Sequence, residues 1–216
     1  LTGPLAQLGG TGVFVAAFAA LIPITNPIGA VAAYAGLSAH LDADERRRQA
    51  WRTGIYVAVI LAAFAVLGTL ILQLFGISLA ALQIAGALVV MHSGFGIVVP
   101  RDAPPATAPD AVHAATKTDI SFSPMALPLI AGPGAIGVVI GIAARNTGVL
   151  DRVAIVAAVV VIAAVIAVLL RYGTPLVQRL GPAGVDAITR VMGFLILAIG
   201  VELLVHGLTA AFPALA

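Results

Sequence analysis

Six stretches of this 216-residue chain, at about 12–37, 53–75, 77–100, 121–144, 150–171 and 185–209, are apolar over the length that a membrane crossing needs. A helical span takes ~20 predominantly apolar residues. Only 9% of the residues are charged and 61% are hydrophobic, whereas a soluble domain carries about 25% charged residues. Such a chain cannot cover its apolar surface with polar side chains. Short segments of alternating hydrophobicity are absent, which excludes an outer-membrane barrel. There is no cysteine, so neither disulfides nor thiolate metal sites contribute. The region from Gly12 is too long for a cleavable signal and is followed by charged residues. The expectation is an all-α membrane protein with six transmembrane helices.

The placement of the basic residues orients these spans. Arg46, Arg47, Arg48 and Arg52 lie in the loop between spans 1 and 2, Arg101 and Lys117 between spans 3 and 4, and Arg171 and Arg179 between spans 5 and 6. Arg190 is just inside span 6 on the same side, while Arg145 and Arg152 stand on the other. The positive-inside rule puts the Arg-rich loops in the cytoplasm and both termini outside. Asp42, Asp44 and Glu45 offset the arginine run, which reads as an orientation signal and not as a nucleic-acid or lipid site.

Two of the spans carry poor helix formers at their centres. "LPLIAGPGAIG" (Leu127–Gly137) holds two prolines and three glycines. "LIPITNPIGAVAA" (Leu21–Ala33) follows the same plan: a proline, a short apolar link, a small or polar residue, then proline and small residues. Asn26-Pro27 matches Gly132-Pro133 at an offset of 106, and Gly86 in span 3 matches Gly193 in span 6 at an offset of 107. The offsets imply a duplicated three-span unit, 1–99 and 120–216, joined by a polar Pro/Ala-rich cytoplasmic linker at 100–119. Three spans are an odd number, so the second unit enters the membrane inverted. Inverted repeats with matched Gly/Pro-interrupted spans point to the binding site of a secondary transporter.

A backbone group left unpaired in hydrocarbon costs several kcal/mol, so a break survives only where protein or a watery cavity surrounds it. Asn26 is a good N-cap with Pro27 a favoured first helical residue, and Gly132 with Pro133 repeats the pattern. "NPIGA" and "GPGAI" therefore read as starts of second half-helices, whose N–H groups and positive dipole ends meet near the midplane from opposite sides. Spans 1 and 4 are expected to be broken there. Two helix N-termini suit a carboxylate, and carbonyls freed near Ile22–Thr25 and Pro128–Ala131 suit an ammonium. The candidate substrate-binding set is Thr25, Asn26, Pro27, Ile28, Gly29, Ala30, Ala131, Gly132, Pro133, Gly134 and Ala135. A lining with so little side chain favours a small, neutral zwitterion.

Among ionisable residues, Glu202 is the only carboxylate well inside a span, and His206 lies one turn on. Intramembrane acids are costly and default to functional candidates, so this pair is the candidate for proton coupling. The competing reading has Glu202 face a packed interior or reach towards the outer interface, satisfied by His206. His92 reads as a packing residue between helices, Gln73 and Gln83 as interfacial, and Ser121 and Ser123 as lining a cytoplasmic entrance. Small residues along span 3, Gly86, Gly94 and Gly96, permit close helix packing.

In order and spacing, "NPIGA", "DERRR", "LFGIS", "IAGALVV" and "PMALPLIAGPGAI" resemble the MarC family, which includes small neutral amino acid transporters of the SnatA type. The resemblance covers almost the whole chain outside the linker. It implies a multi-pass protein of the bacterial or archaeal inner membrane with six spans, handling glycine, alanine and similar amino acids. Drug efflux is not implied. The chain departs from the pattern at Ala32, where family members often have proline, at Gly137, where a hydroxyl is common, and at Glu202, where many carry an amide.

A transporter of small neutral amino acids with alternating access is thus the leading expectation, and an ion or divalent-metal channel or carrier the alternative. An enzyme is not expected, since no HExxH and no converging Ser/His/acid set is present and His92 and Ser93 are adjacent. No catalytic residue, metal ligand or cofactor is assigned. Without a P-loop or dinucleotide fingerprint, transport would draw on a gradient of H+ or Na+. The expected partners are the substrate, the coupling ion and the lipid bilayer, with no nucleic acid; a homo-oligomer is left open.

Overall fold

The computed structural model describes residues 9–99 and 119–212. In chain order it forms α1 (Gly10–Thr25), α2 (Pro27–Leu37), α3 (Ala43–Leu74), α4 (Leu79–Val98), a wound segment Ser121–Ile130, α5 (Pro133–Arg145), α6 (Val149–Tyr172) and α7 (Thr174–Ala211). No strand occurs among the described residues. Five units are long and apolar enough to cross a membrane, or six if Ser121–Ile130 and α5 count as one bent span; α1 and α2 count together as Gly10–Leu37. Apart from Asp119, the expected linker at 100–119 lies outside the described residues.

Polarity is arranged for an apolar surrounding. Ile55, Val59, Leu70, Val191, Phe194, Val201 and Val205 all point outward, while the interior is rich in Ala, Gly and β-branched residues. In hydrocarbon there is little hydrophobic drive between helices, so close packing through small residues holds them together. α5 is the most enclosed, with Gly137–Ala143 buried without interruption. A helix apolar on every face belongs in the middle of a bundle.

The most extensive contact joins α4 to α7, which run antiparallel. Ala80, Ala87 and Gly94 of α4 face Gly207, Gly200 and Gly193 of α7 at seven-residue intervals. A Cβ on Gly207 would stand 3.2 Å from the Ala80 carbonyl oxygen, one on Gly200 3.4 Å from that of Ala87, and one on Gly94 3.1 Å from that of Gly193. α3 and α6 also pair antiparallel: Gly54 leaves room for Ala167, and Arg152 Nη1 donates to the Val66 carbonyl at 3.0 Å. Gly86 of α4 and Gly137 of α5 nearly touch, each Cβ position lying 3.5–3.7 Å from the other's Cα. The packing expected of Gly86 and Gly94 is present, but the seam they serve spans two helices.

Two helices begin earlier than the hydropathy pattern predicts. α3 starts at Ala43 and takes in the arginine run expected in a loop, because Asp42 caps it by accepting the Glu45 N–H at 2.8 Å. α7 starts at Thr174, one residue after α6, and turns at Gly181 (φ 66°), a left-handed conformation that glycine tolerates, with Pro182 starting its longer part. Gln83, expected at the interface, is buried. At the Arg-rich end Tyr34 Oη donates to the Arg46 carbonyl, and the Arg171 guanidinium lies 6.0 Å over Trp51 and 5.0 Å over Tyr172.

The wound segment enters the bundle from that end, fixed by a polar stripe on α3. Gln49 Oε1 accepts the Ile120 N–H at 3.0 Å, and Thr53 Oγ1 donates to the Ser121 carbonyl at 3.2 Å. Arg52 Nη1 meets Asp119 Oδ2 at 3.2 Å, and Asp119 Oδ1 accepts the Ser121 N–H at 2.9 Å and its hydroxyl. Gln49, Thr53 and Ser121 are buried. Ser121, expected to line an entrance, anchors the segment instead. The Ser121 hydroxyl first, then its N–H and Arg52, hold the Asp119 carboxyl below the ordinary carboxylate range, against the opposing effect of burial.

Two outcomes are expected in thermal unfolding of the purified protein in detergent. Gly200→Leu lowers the midpoint, because a Cβ there lies 2.5 Å from Met91 Cγ and overpacking costs about 1–3 kcal/mol; Gly36→Ala, whose Cβ meets nothing within 4 Å, does not. Asp119→Asn lowers it at neutral pH. A depressed carboxyl stabilises the folded state fully above the ordinary aspartate pKa of about 3.9 and loses that effect as pH falls through the lower folded value. The gap between wild type and Asp119→Asn therefore closes on acidification, and a gap that persists or widens at acid pH contradicts the assignment.

Candidate functional site

α1 ends where Pro27 removes the next donor and pushes Asn26 out of the right-handed helical region. Asn26 takes the left-handed conformation (φ 39°, ψ 66°), which asparagine tolerates better than most residues. The freed carbonyls are partly answered at once. Thr25 Oγ1 donates to Leu21 O at 2.9 Å and lies 3.1 Å from Ile22 O, while the Asn26 N–H donates to Pro23 O at 3.0 Å. Asn26 Oδ1 accepts the Gly29 N–H at 3.2 Å. The start of α2 is therefore closed by its own cap.

The second interruption is longer and different in kind. Within Ser121–Ile130 the backbone is extended at Ser123 and Leu127, and the Ser123-Pro124 and Leu127-Pro128 bonds are cis. The Ala131 N–H donates to Ala126 O at 2.9 Å. Gly132 then caps α5 in an extended conformation without a side-chain hydrogen bond, and the axis turns by 61°. Glycine is required here by close approach, since a Cβ would lie 2.5 Å from the Pro128 carbonyl oxygen. Because Pro133 has no N–H, the amides of Gly134 and Ala135 are the donors that the first turn leaves without an intrahelical acceptor. This helix start is open.

Both starts face one cavity of about 370 Å³. Of the predicted set, Thr25, Asn26, Gly29, Ala30, Gly132, Pro133, Gly134 and Ala135 line it, whereas Pro27, Ile28 and Ala131 do not. The rest of the wall is chiefly apolar, from α4, the wound segment and α7, with Ser93 and Thr189 adding hydroxyls. No lining side chain is ionisable. The Ser93 hydroxyl bonds its own helix at Val89 O, 3.0 Å, and Gly134 packs against Val90. Ser93 and Thr189 were not placed in the site by sequence; the only signal they carry is a hydroxyl in an otherwise apolar span.

Glu202 and His206 lie elsewhere. They pair with each other at 3.3 Å, but the Glu202 side chain is 68% exposed on the outer surface of α7 and neither residue lines the cavity. The carboxylate is within electrostatic reach of Arg145 at the end of α5. His92, expected between helices, is exposed on α4. Among the described residues no three His, Asp or Glu side chains gather as metal ligands.

Comparison with known proteins agrees with this architecture. The model of the MarC family integral membrane proteins matches residues 11–212. The inner membrane protein MarC of Salmonella typhimurium is 35% identical over 198 residues, covering 87% of this chain and 90% of that protein. The inner membrane protein MarC of Escherichia coli K12 is 33% identical over 199 residues, with the same coverage. No solved structure matches. This chain belongs to the MarC family of integral membrane proteins.

Proposed function

We propose that this protein is a secondary transporter of small neutral amino acids of the glycine and alanine type, binding its substrate in the cavity between the starts of α2 and α5. The observation that carries the reading is that cavity's lining: two helix starts set in a chiefly apolar wall, with no ionisable group. Burying a net charge without a partner is costly, so a lining whose polarity comes from helix ends and a few uncharged side chains suits a molecule whose charges cancel. The two unclaimed amides of Gly134 and Ala135, at the positive end of α5, suit the carboxylate. The opposite charge would face the carbonyls of Ile24 and Thr25 beside Asn26. At about 370 Å³ the cavity is at the small end of the range for ligand sites, ~300–1,000 Å³.

In this reading the fold is two inverted three-helix repeats, with both interruptions near the membrane midplane. The packing supports it: α4 and α7, and α3 and α6, each occupy equivalent places in the two halves, and each pair is antiparallel. The counterpart of α2 against α7 is α5 against α4, and both contacts are made. The relatives are named inner membrane proteins, and a multi-pass place in the inner membrane follows by similarity. The Arg-rich end would face the cytoplasm, by the positive-inside rule, and the termini the other side. With no energy-coupling nucleotide motif, a proton or sodium gradient would drive alternating access.

The test is uptake of labelled alanine and glycine into proteoliposomes, with imposed proton or sodium gradients. Uptake above empty liposomes is expected, reduced by excess unlabelled alanine and not by glutamate or lysine; the gradient that accelerates it names the coupling ion. Gly132→Ala, which sets a Cβ against the Pro128 carbonyl, is expected to cut uptake by about tenfold or more, the equivalent of about 1.4 kcal/mol. The double variants Asn26→Leu/Pro27→Leu and Gly132→Leu/Pro133→Leu abolish it while still inserting. Absence of amino acid uptake by folded protein, with ion flux in its place, would replace this reading by that of an ion channel.

A further inference from the structure

A second cavity, of about 570 Å³, lies between α2 and the beginning of α7. Gly29 and Ala32 form one side, and Gln178, Gly181, Asp186 and Thr189 are on the other. It abuts the central cavity, for Gly29 and Thr189 line both. Its α7 wall begins at Val177, next to the Arg-rich end of the molecule, where Val31 packs against Gly173 and Tyr34 reaches the Arg46 carbonyl. Polarity changes along its length. Asp186 is paired with Arg190 at 2.8 Å, whereas the residues shared with the central cavity are uncharged, Thr189 and Gly29, with the Asn26 carboxamide beside the latter.

That hydroxyl is buried and has no hydrogen-bond partner in the protein. Leaving such a group unsatisfied costs about 1–3 kcal/mol. A small movement of the wall that lets water or a polar solute reach it would satisfy it. Opposite is Gly29, over which the Asn26 carboxamide lies, since a Cβ there would run into Asn26 Nδ2. The two cavities thus adjoin between Thr189 on α7 and Gly29 with the Asn26 carboxamide at the start of α2. The break at Gly181 gives the α7 wall its own short arm, Thr174 to Leu180, which bounds the groove separately from the rest of the helix.

We infer that this groove is the route by which the central cavity opens to the Arg-rich face, and that Thr189 is its neck, where the substrate is met on passage and selected by size. The route follows from the two adjoining cavities alone; the nature of what passes rests on the amino acid reading above.

The chain has no cysteine, so single-cysteine variants report single positions. Arg47→Cys marks one face, its parent side chain being 59% exposed, and Phe75→Cys the other, at 71%. Thr189→Cys and Gln178→Cys in sealed proteoliposomes are treated with a small, charged, membrane-impermeant thiol reagent from each face in turn. Both are expected to lose their free thiol from the face that labels Arg47→Cys and to keep it from the face that labels Phe75→Cys. Val185→Cys, one turn earlier in the same groove, serves if Thr189→Cys does not fold. Reaction from the Phe75 face alone, or no reaction at the neck from either face while Gln178→Cys reacts, overturns the inference. Excess alanine should slow modification at Thr189→Cys and not at Gln178→Cys. One-sided labelling without that protection would leave the route standing and remove the amino acid reading. Thr189→Val, which keeps the shape and loses the hydroxyl, is expected to raise the KM for alanine, whereas Thr189→Phe closes the neck and abolishes uptake; normal uptake by Thr189→Phe would also overturn the assignment.

Discussion

In a chain surrounded by hydrocarbon, every backbone amide and carbonyl must find a partner within the protein, and this structure is organised around the two places where the helical ladder stops supplying one. At Asn26 the carboxamide and the Thr25 hydroxyl take over as local partners. At Ser121–Ala131 a wound segment keeps some backbone bonds and gives up others. Neither interruption could face lipid. The cavity between them is the space where the two leave backbone polarity near one another.

The enclosing helices must come close enough to seal that space, and this explains the glycine and alanine along their seams. Where Gly200 and Gly207 face the carbonyls of Ala87 and Ala80, the helices approach almost to backbone contact. A bundle held by large apolar side chains would gain little, since lipid offers them the same environment. The close fit of α4 on α7 and of α3 on α6 also makes each pair a rigid unit. A binding site assembled from loose backbone segments needs such a support, because donors displaced by an ångström lose much of their bond strength.

What could be read from sequence follows the range of the interaction concerned. The two helix breaks were legible because a proline's missing N–H and its effect on the preceding residue are local properties of Asn26-Pro27 and Gly132-Pro133. Eight of the eleven predicted residues line one cavity, and they were picked out by the chemistry of the two breaks together with their repeat spacing. The antiparallel register of Ala80, Ala87 and Gly94 on Gly207, Gly200 and Gly193 was not legible, since it depends on how two distant helices slide together. Hydropathy hid the first turns of α3 and α7, whose charged residues read as loop although Asp42 and Glu45 had the spacing of a cap. Glu202 shows a third kind of limit: sequence gave its depth along α7, but not the rotation of that helix, which turns the carboxylate outward. Thr189 was hidden for the converse reason, a commonplace hydroxyl that only the meeting of two cavities singles out.

The two helix starts differ, and the difference bears on chemistry. Identical open starts would have presented two positive dipole ends to one small space, a site for anions. Here Asn26 turns its carboxamide onto the Gly29 amide and caps one of them. Gly132 has no side chain to do the same, and the bend before α5 leaves the amides of Gly134 and Ala135 as the open donors. The two helix starts are thus unlike, one capped at Gly29 and one with open donors beyond Gly132. Asparagine against glycine before the proline is what separates them, and on the proposed reading a zwitterion is the simplest solute whose own polarity matches such a pair.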